Sequence, residues 1–372
     1  MAPLKDSKLF QHIRVGNVEL QHRVVMAPLT RFRADEKHVH QDVAVEYYAQ
    51  RASVPGTLLM TEGTFITEDA GGYDNVPGIW NQTQIAAWKK VTNAVHAKGS
   101  FIFCQLWALG RAATPKNLAK EGGYQLVSSS AVPIAVGKPV PHALTPGEIE
   151  DYKEKYAQAA RNAMEAGFDG VELHGANGYL IDQFIQSTCN QRNDEYGGSV
   201  ENRARFVLEL ADSVSAAIGE ERTALRMSPW GRVQGMGMPD PIPTFSYIVS
   251  QLRDRHPRLA YISLVEPVIG GDNDQTLLDG DSNAPLHAIW QPRPLILSGG
   301  WTNNVAGAVK VANEKQGVLC GFGRAFIPNP DLPLRLKNGI PFTKYDRKTF
   351  YTRGPAATRG YIDYPAAASS KL

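Results

Sequence analysis

The sequence predicts an α/β fold: a closed (β/α)8 TIM barrel with an N-terminal β-hairpin cap and extended loops at the C-terminal face. Three observations carry this. Eight short apolar runs alternate with longer helical patterns, and eight parallel strands is the number that closes a barrel. The runs are continuously apolar rather than alternating, as befits strands covered on both faces. The open-sheet rival, a Rossmann fold, wants a GxGxxG turn after a strand, and the sequence has none.

In chain order, Ile13-Arg14-Val15-Gly16-Asn17-Val18-Glu19-Leu20 alternates about Gly-Asn. It reads as a hairpin within residues 9–22, capping the barrel bottom. The strand candidates are Val24–Leu29, Thr57–Thr61, Phe101–Leu106, Gly170–His174, Ala224–Ser228, Ala260–Val265, Pro294–Ser298 and Val318–Phe322. Between them, Thr145-Pro146-Gly147-Glu148 is a capping box with proline at the first helical position. After it Ile149, Tyr152, Tyr156, Ala159/Ala160 and Ala163 form one buried stripe, and Gly167 stops the helix. Gln84–Lys98, Val200–Ile218, Phe245–Arg255 and Val305–Lys315 also read as helices, with Ser199 as an N-cap. Leu109–Ala143 and Pro267–Ala288 are the longest loop-like stretches, placed where barrels bind substrates. No linker divides the chain, so residues 1–372 read as one domain.

Composition narrows the function. Hydrophobic residues make up 43% and charged residues 20%, a globular balance. Lys+Arg 39 against Asp+Glu 37 leaves a net charge of +2 with no basic block. That argues against nucleic-acid coating and a polybasic membrane anchor. No apolar run approaches the roughly 18 residues of a membrane helix, and the start has no secretory core. Cys104, Cys189 and Cys320 are odd in number and far apart, with no CxxC pair. A disulfide framework or thiolate zinc site is therefore not expected. Asn81-Gln82-Thr83 fits a glycosylation sequon, without consequence in a chain that is not secreted. Ser370-Lys371-Leu372 matches a peroxisomal import tripeptide, so a peroxisomal location and an import-receptor partner are expected; the alternative is a cytosolic tail.

Residues at the C-terminal ends of barrel strands converge on one site. Here they are Thr30, Gly63, Gln105 with Trp107, His174 with Asn177 and Tyr179, Arg226, Glu266, Ser298-Gly299-Gly300 and Gly321-Phe322-Gly323-Arg324. The two glycine-rich turns after strands seven and eight could admit a phosphate, with Arg324 as its ion pair, or serve only as tight turns. Arg226, at the end of a buried strand, needs an anion: a cofactor that turns anionic, or an internal carboxylate. His174 and Asn177 could together hold one carbonyl or phenolate oxygen. The Tyr179 phenol, with an ordinary pKa near 10, could donate a proton. The bland alternative is that His174 caps the loop and Tyr179 packs. There is no HExxH helix, no strand-end lysine for a Schiff base and no GxSxG elbow. His38-Val39-His40 resembles a barrel-hydrolase metal pair but lacks the matching aspartate after strand eight.

The chain resembles the Old Yellow Enzyme family of FMN-dependent ene-reductases, closest to fungal members. The likeness runs through Met26-Ala27-Pro28-Leu29-Thr30-Arg31, Thr61-Glu62-Gly63, Gln105-Leu106-Trp107, His174 to Tyr179, Asn193 to Arg203 and Gly321 to Arg324. The resemblance implies tightly bound FMN, with NAD(P)H as transient reductant. Thr30 would meet the flavin C4 oxygen, Gln105 the pyrimidine edge and Arg226 the N1/C2-oxygen region. Pro28, Leu29 and Gly63 would line the isoalloxazine, while Gly299, Gly300, Gly323 and Arg324 would hold the phosphate. His174 and Asn177 would bind the carbonyl oxygen of an enone or enal substrate. Tyr179 would protonate Cα as hydride reaches Cβ, and Trp107 and Tyr351 would shape the substrate cavity. One site would serve both reactants in turn, in keeping with the missing Rossmann motif. Residues 267–285 do not follow the family's more familiar lid sequence. Ergot-pathway relatives that isomerise carry Phe where this chain has Tyr179, so tyrosine favours net reduction; a dedicated ergot-alkaloid-type reductase or isomerase is the alternative. The sequence leaves the oligomeric state open, a homodimer included.

Overall fold

The computed structural model describes residues 2–367; Met1 and residues 368–372, and with them the Ser370-Lys371-Leu372 tripeptide, lie outside the described residues. Eight strands pair in parallel in chain order: Val24–Met26, Leu58–Met60, Phe101–Trp107, Gly170–Gly175, Thr223–Met227, Tyr261–Val265, Leu295–Ser298 and Val318–Phe322. The eighth returns to the first, with Cys320 opposite Val24 and Phe322 opposite Met26, so the sheet closes into the expected barrel. The first strand is shorter than predicted. The Ala27 N–H still bonds Phe322 O at 3.1 Å, but Pro28 has no N–H to continue the ladder.

The helix Pro146–Glu165 starts at its capping box, where Thr145 accepts from the Glu148 N–H and Glu148 accepts from the Thr145 N–H. Its buried face is the predicted stripe. It ends at Gly167, φ 85°, where the Phe168 N–H reaches back to Ala163 O. Ser199 caps Val200–Ile218 through the Asn202 N–H. The sequon residue Asn81 is itself an N-cap, accepting from the Gln84 N–H at the head of Gln82–His96.

The helices Asp42–Arg51, Pro115–Glu121, Leu180–Ile185, Ala284–Trp290 and Leu332–Asn338 were not expected. Asp42–Arg51 has no capping side chain, and its apolar residues, Val43, Ala44, Val45, Tyr47, Tyr48 and Ala49, cluster too closely to mark one stripe. Pro115–Glu121 and Ala284–Trp290 interrupt stretches that read as loop.

The hairpin Ile13–Val15/Val18–Leu20 seals the bottom. Gly16, φ 54°, turns so close to the barrel that a Cβ there would stand 2.0 Å from Glu221 O. Val15, Val18 and Leu20 pack into the lower barrel with Val25, Leu58 and Phe103.

The top is tied by buried arginines. Arg31 donates to Phe350 O (3.1 Å) and Gly360 O (2.7 Å), and Arg51 to Ile327 O (2.6 Å). The Arg51 guanidinium lies 3.6 Å from the Tyr47 ring centroid, and Tyr47 stacks on Tyr361 at 4.1 Å. Carbonyl oxygens and aromatic faces thus replace the water these cations lose. The C-terminal segment is thereby held over the barrel mouth, carrying Tyr351 with it.

Candidate active site

A cavity of about 450 Å³ opens at the C-terminal ends of the strands. Pro28, Leu29, Thr30, Gln105, Trp107, His174, Asn177, Tyr179, Arg226, Gly299, Gly300, Gly323, Arg324 and Tyr351 all line it. Gly63 does not. A Cβ on Gly63 would stand 2.4 Å from Trp107 Cε3, so its missing side chain makes room for the indole. His38 and His40 lie apart from the cavity. His40 faces Glu62 at 3.4 Å and the Trp88 ring at 4.5 Å. Among the described residues no group of three or more His, Cys, Asp or Glu could hold a metal ion.

At one end stand the turns after strands seven and eight. Gly299 (φ 124°) and Gly300 (φ 77°) take left-handed backbone that a side chain would strain. A Cβ at Gly299 would also collide with Ile269, 2.4 Å away. Arg324 pairs with Asp274, whose carboxylate holds the guanidinium pKa up. Asp274 is on a short antiparallel pair, Ile269–Gly270 with Asn273–Asp274, in the loop after strand six. That strap roofs the cavity: Asp272 accepts from Tyr351 (3.1 Å) and Arg347 (2.8 Å).

Arg226 stands at the centre. It donates to Ser263 Oγ (3.0 Å) and Ser298 Oγ (3.2 Å), both neutral. Among the described residues no carboxylate comes within ion-pair distance of it. Glu172, two residues back on the neighbouring strand, accepts from Gln105 Nε2 at 2.8 Å. Burial pushes the Glu172 carboxyl up and the Arg226 guanidinium down. A buried cation bonded only to hydroxyls is poised for an anion in the cavity.

At the other end His174, Asn177 and Tyr179 meet. Burial, then the charge of Arg226, lowers the His174 pKa to about 3, so the imidazole is neutral. His174 Nδ1, Asn177 Oδ1 and Trp107 Nε1 are buried without hydrogen-bond partners. Burial also raises the Tyr179 pKa well above that of a free phenol, so the hydroxyl keeps its proton. Trp107 meets the Tyr179 ring edge-on at 4.8 Å, and His174 lies 5.0 Å from that ring.

The turn carrying these groups is unusual, with Asn177 (φ 59°) and Gly178 (φ 78°) consecutively left-handed. The Asn177 N–H donates to Ser228 Oγ (2.7 Å) and the Gly178 N–H to Asp182 Oδ2 (2.8 Å). Asp182 is fully buried, which pushes its carboxyl up to about 7.

Sequence reasoning missed Tyr73, Gln234 and Asp272, which also line the cavity. They sit on loops beyond the strand ends, where no periodicity applies. The only available signal was loop length and glycine content, as in Gly231, Gly235 and Gly237 around Gln234.

These features suit FMN. The glycine turns with Arg324 could take a phosphate, the anion-free Arg226 could face a ring that gathers negative charge, and Thr30 and Gln105 offer polar edges.

Comparisons with known proteins agree. The NADH:flavin oxidoreductase / NADH oxidase family matches residues 8–343. The NADP-dependent oxidoreductase lnbE of Aspergillus flavus is 52% identical over 367 residues, covering 96% of each chain. The chanoclavine-I aldehyde reductase fgaOx3 of Penicillium roqueforti is 52% identical over 363 residues, covering 97% of each. The crystal structure of Old Yellow Enzyme from Pichia sp. AKU4542 superposes with a TM-score of 0.90 at 41% identity, over 98% of this chain and 95% of that one. By its sequence over nearly its whole length and by its barrel, the chain belongs to the NADH:flavin oxidoreductase / NADH oxidase family.

Proposed function

We propose that the protein is an FMN-dependent NAD(P)H oxidoreductase that reduces the activated C=C bond of α,β-unsaturated carbonyl compounds. The observation that carries this is the end of the cavity where His174, kept neutral, and the Asn177 amide stand beside a phenol kept protonated. Neutral donors and a proton source are what conjugate addition to an enone requires.

Gly299, Gly300 and Gly323 would cradle the FMN phosphate, with Arg324 exchanging Asp274 for it. Pro28, Leu29, Thr30 and Gln105 would border the ring system, and Arg226 would face its negative charge. FMN held there would supply the hydride chemistry that links NAD(P)H to the β-carbon of the substrate. His174 and Asn177 hold the carbonyl oxygen, draw electron density from the alkene and stabilise the developing enolate. Tyr179 gives its proton to the α-carbon and recovers one from solvent. Trp107 and Tyr351 bound the substrate, which follows the reductant into the same cavity.

The experiment is anaerobic. NADPH should bleach the yellow protein and an enone should restore the colour. Tyr179→Phe should leave bleaching nearly intact and slow enone reduction about 10²–10⁴-fold, the usual cost of losing a positioned acid. Equal slowing of both half-reactions would rule out the proton-donor role.

A second reading is a dedicated enal reductase of one secondary metabolite. It is favoured by the identity with the Penicillium roqueforti protein named chanoclavine-I aldehyde reductase. A turnover preference of several orders of magnitude for one aldehyde over simple enones would select it. We also propose a peroxisomal location, a reading that rests on Ser370-Lys371-Leu372 in the sequence alone.

A further inference from the structure

We propose that Gln234, on the loop after strand five, is a positioning residue that holds the Asn177-Gly178-Tyr179 turn in register for proton transfer. The inference rests on the proton-donor reading of Tyr179.

Gln234 touches the turn in two ways. Its Nε2 donates to Asn177 O at 2.9 Å. Its Cβ lies under Gly178, so close that a Cβ on that glycine would come within 2.8 Å of it. Its Oε1 is buried without a hydrogen-bond partner, a placement that costs free energy and marks the amide as held for its Nε2 contact.

The backbone supports this assignment. Gln234 adopts φ 58° and ψ 30°, a left-handed conformation that a glutamine takes only under constraint. The constraint is Arg111, buried, which donates through Nη2 to Gln234 O (3.0 Å) and through Nη1 to Val132 O (3.1 Å). A turn residue with no task beyond chain reversal would be glycine or asparagine. Here a long amide is held in a strained pose, aimed at the turn.

The two sides of the Asn177 peptide are therefore fixed from one loop. Ser228 takes its N–H and Gln234 takes its carbonyl. That loop follows the strand Thr223–Met227, which carries Arg226, so the cation at the cavity centre and the support of the proton donor lie on one stretch of chain.

The test uses Gln234→Ala and the shape-keeping Gln234→Met in the FMN-loaded enzyme, alone and combined with Tyr179→Phe. Each half-reaction is followed in single turnover. Both variants should slow enone reduction at least about ten-fold more than they slow flavin reduction by NADPH, since an ångström of misplacement can cost about 10²-fold. In the Tyr179→Phe background neither should slow it further, because the effect acts through the phenol. Equal slowing of both half-reactions, or a loss that adds to that of Tyr179→Phe, would overturn the assignment. Wild-type enone reduction in Tyr179→Phe alone would instead remove the proton-donor reading and the inference with it.

Discussion

One methyl group at Gly63 tests how the substrate end of the cavity is supported. Built on the existing backbone, an alanine Cβ stands 2.4 Å from Trp107 Cε3 and 2.8 Å from Cδ2, against about 3.4 Å for ordinary contact. The indole must therefore shift by about 1 Å, the difference between 3.4 and 2.4 Å. It has little room to do so. Phe65 and Tyr73 flank it at centroid distances of 5.4 and 5.9 Å, and Tyr179 meets it at 4.8 Å. Part of the displacement passes to Tyr179. Overpacking of this kind costs about 1–3 kcal/mol of stability, which a barrel of this size can absorb. An ångström at the proton donor costs about 10²-fold in rate. Gly63→Ala should therefore fold with a native circular dichroism spectrum, retain flavin, and reduce enones about 10²-fold more slowly in single turnover. Adding Trp107→Leu should relieve the clash and recover part of the loss relative to Gly63→Ala alone. Wild-type kinetics in a folded, flavin-loaded Gly63→Ala enzyme would refute the idea that this glycine sets the position of Trp107.

Arg324→Ala should lose FMN on dialysis, read by absorbance of the retained protein; full retention would argue against phosphate clamping by this side chain. Asp182, raised from 3.8 to about 7, favours the unfolded state as pH rises between those values, by up to about 4 kcal/mol above pH 7. Asp182→Asn should remove that decline from denaturant midpoints measured between pH 5 and 8, and an unchanged decline would assign it to other groups. With a fluorescent protein fused at its N-terminus, the chain should enter peroxisomes, and deletion of Ser370–Leu372 should return it to the cytosol. Identical images would show that the tripeptide is not an address.

The barrel was legible because its strands are buried on both faces, which leaves unbroken apolar runs such as Val318–Phe322, found with the predicted bounds. The helix Pro146–Glu165 was legible because a capping box, a proline and a stripe agree on where it starts and which face it buries. The cavity wall was legible at strand ends, where barrel geometry converts a position in the chain into a direction in space. Gly63 marks the limit of that rule: it stands at a strand end, but without a side chain it has no direction of its own, and the Trp107 indole fills the space a side chain would take. The helix Asp42–Arg51 and the strap Ile269–Asp274 were not legible. The first has clustered apolar residues and no capping side chain, and the second depends on pairs such as Asp272 with Tyr351 that lie far apart in the chain.

The same physics divides the cavity into two kinds of parts. Residues fixed by strands, such as Arg226 and His174, are held by the sheet, and their state follows from burial and, for His174, from the charge of Arg226: one cation bonded only to hydroxyls, one neutral imidazole. Residues fixed by loops, such as Tyr179, Tyr351 and Asp272, are held through contacts with other loops, as in the bonds from Tyr351 and Arg347 to Asp272. Changes to the first group should act on charge and cofactor, whereas changes to the second should act on geometry. Selectivity among enones therefore rests with the loops after strands five and six and with the C-terminal segment, since these supply Gln234, Ile269, Asp272 and Tyr351 to the cavity wall. Exchanging the strap between two family members should transfer substrate preference more readily than exchanging any strand-end residue, because only the strap can change shape without disturbing the sheet.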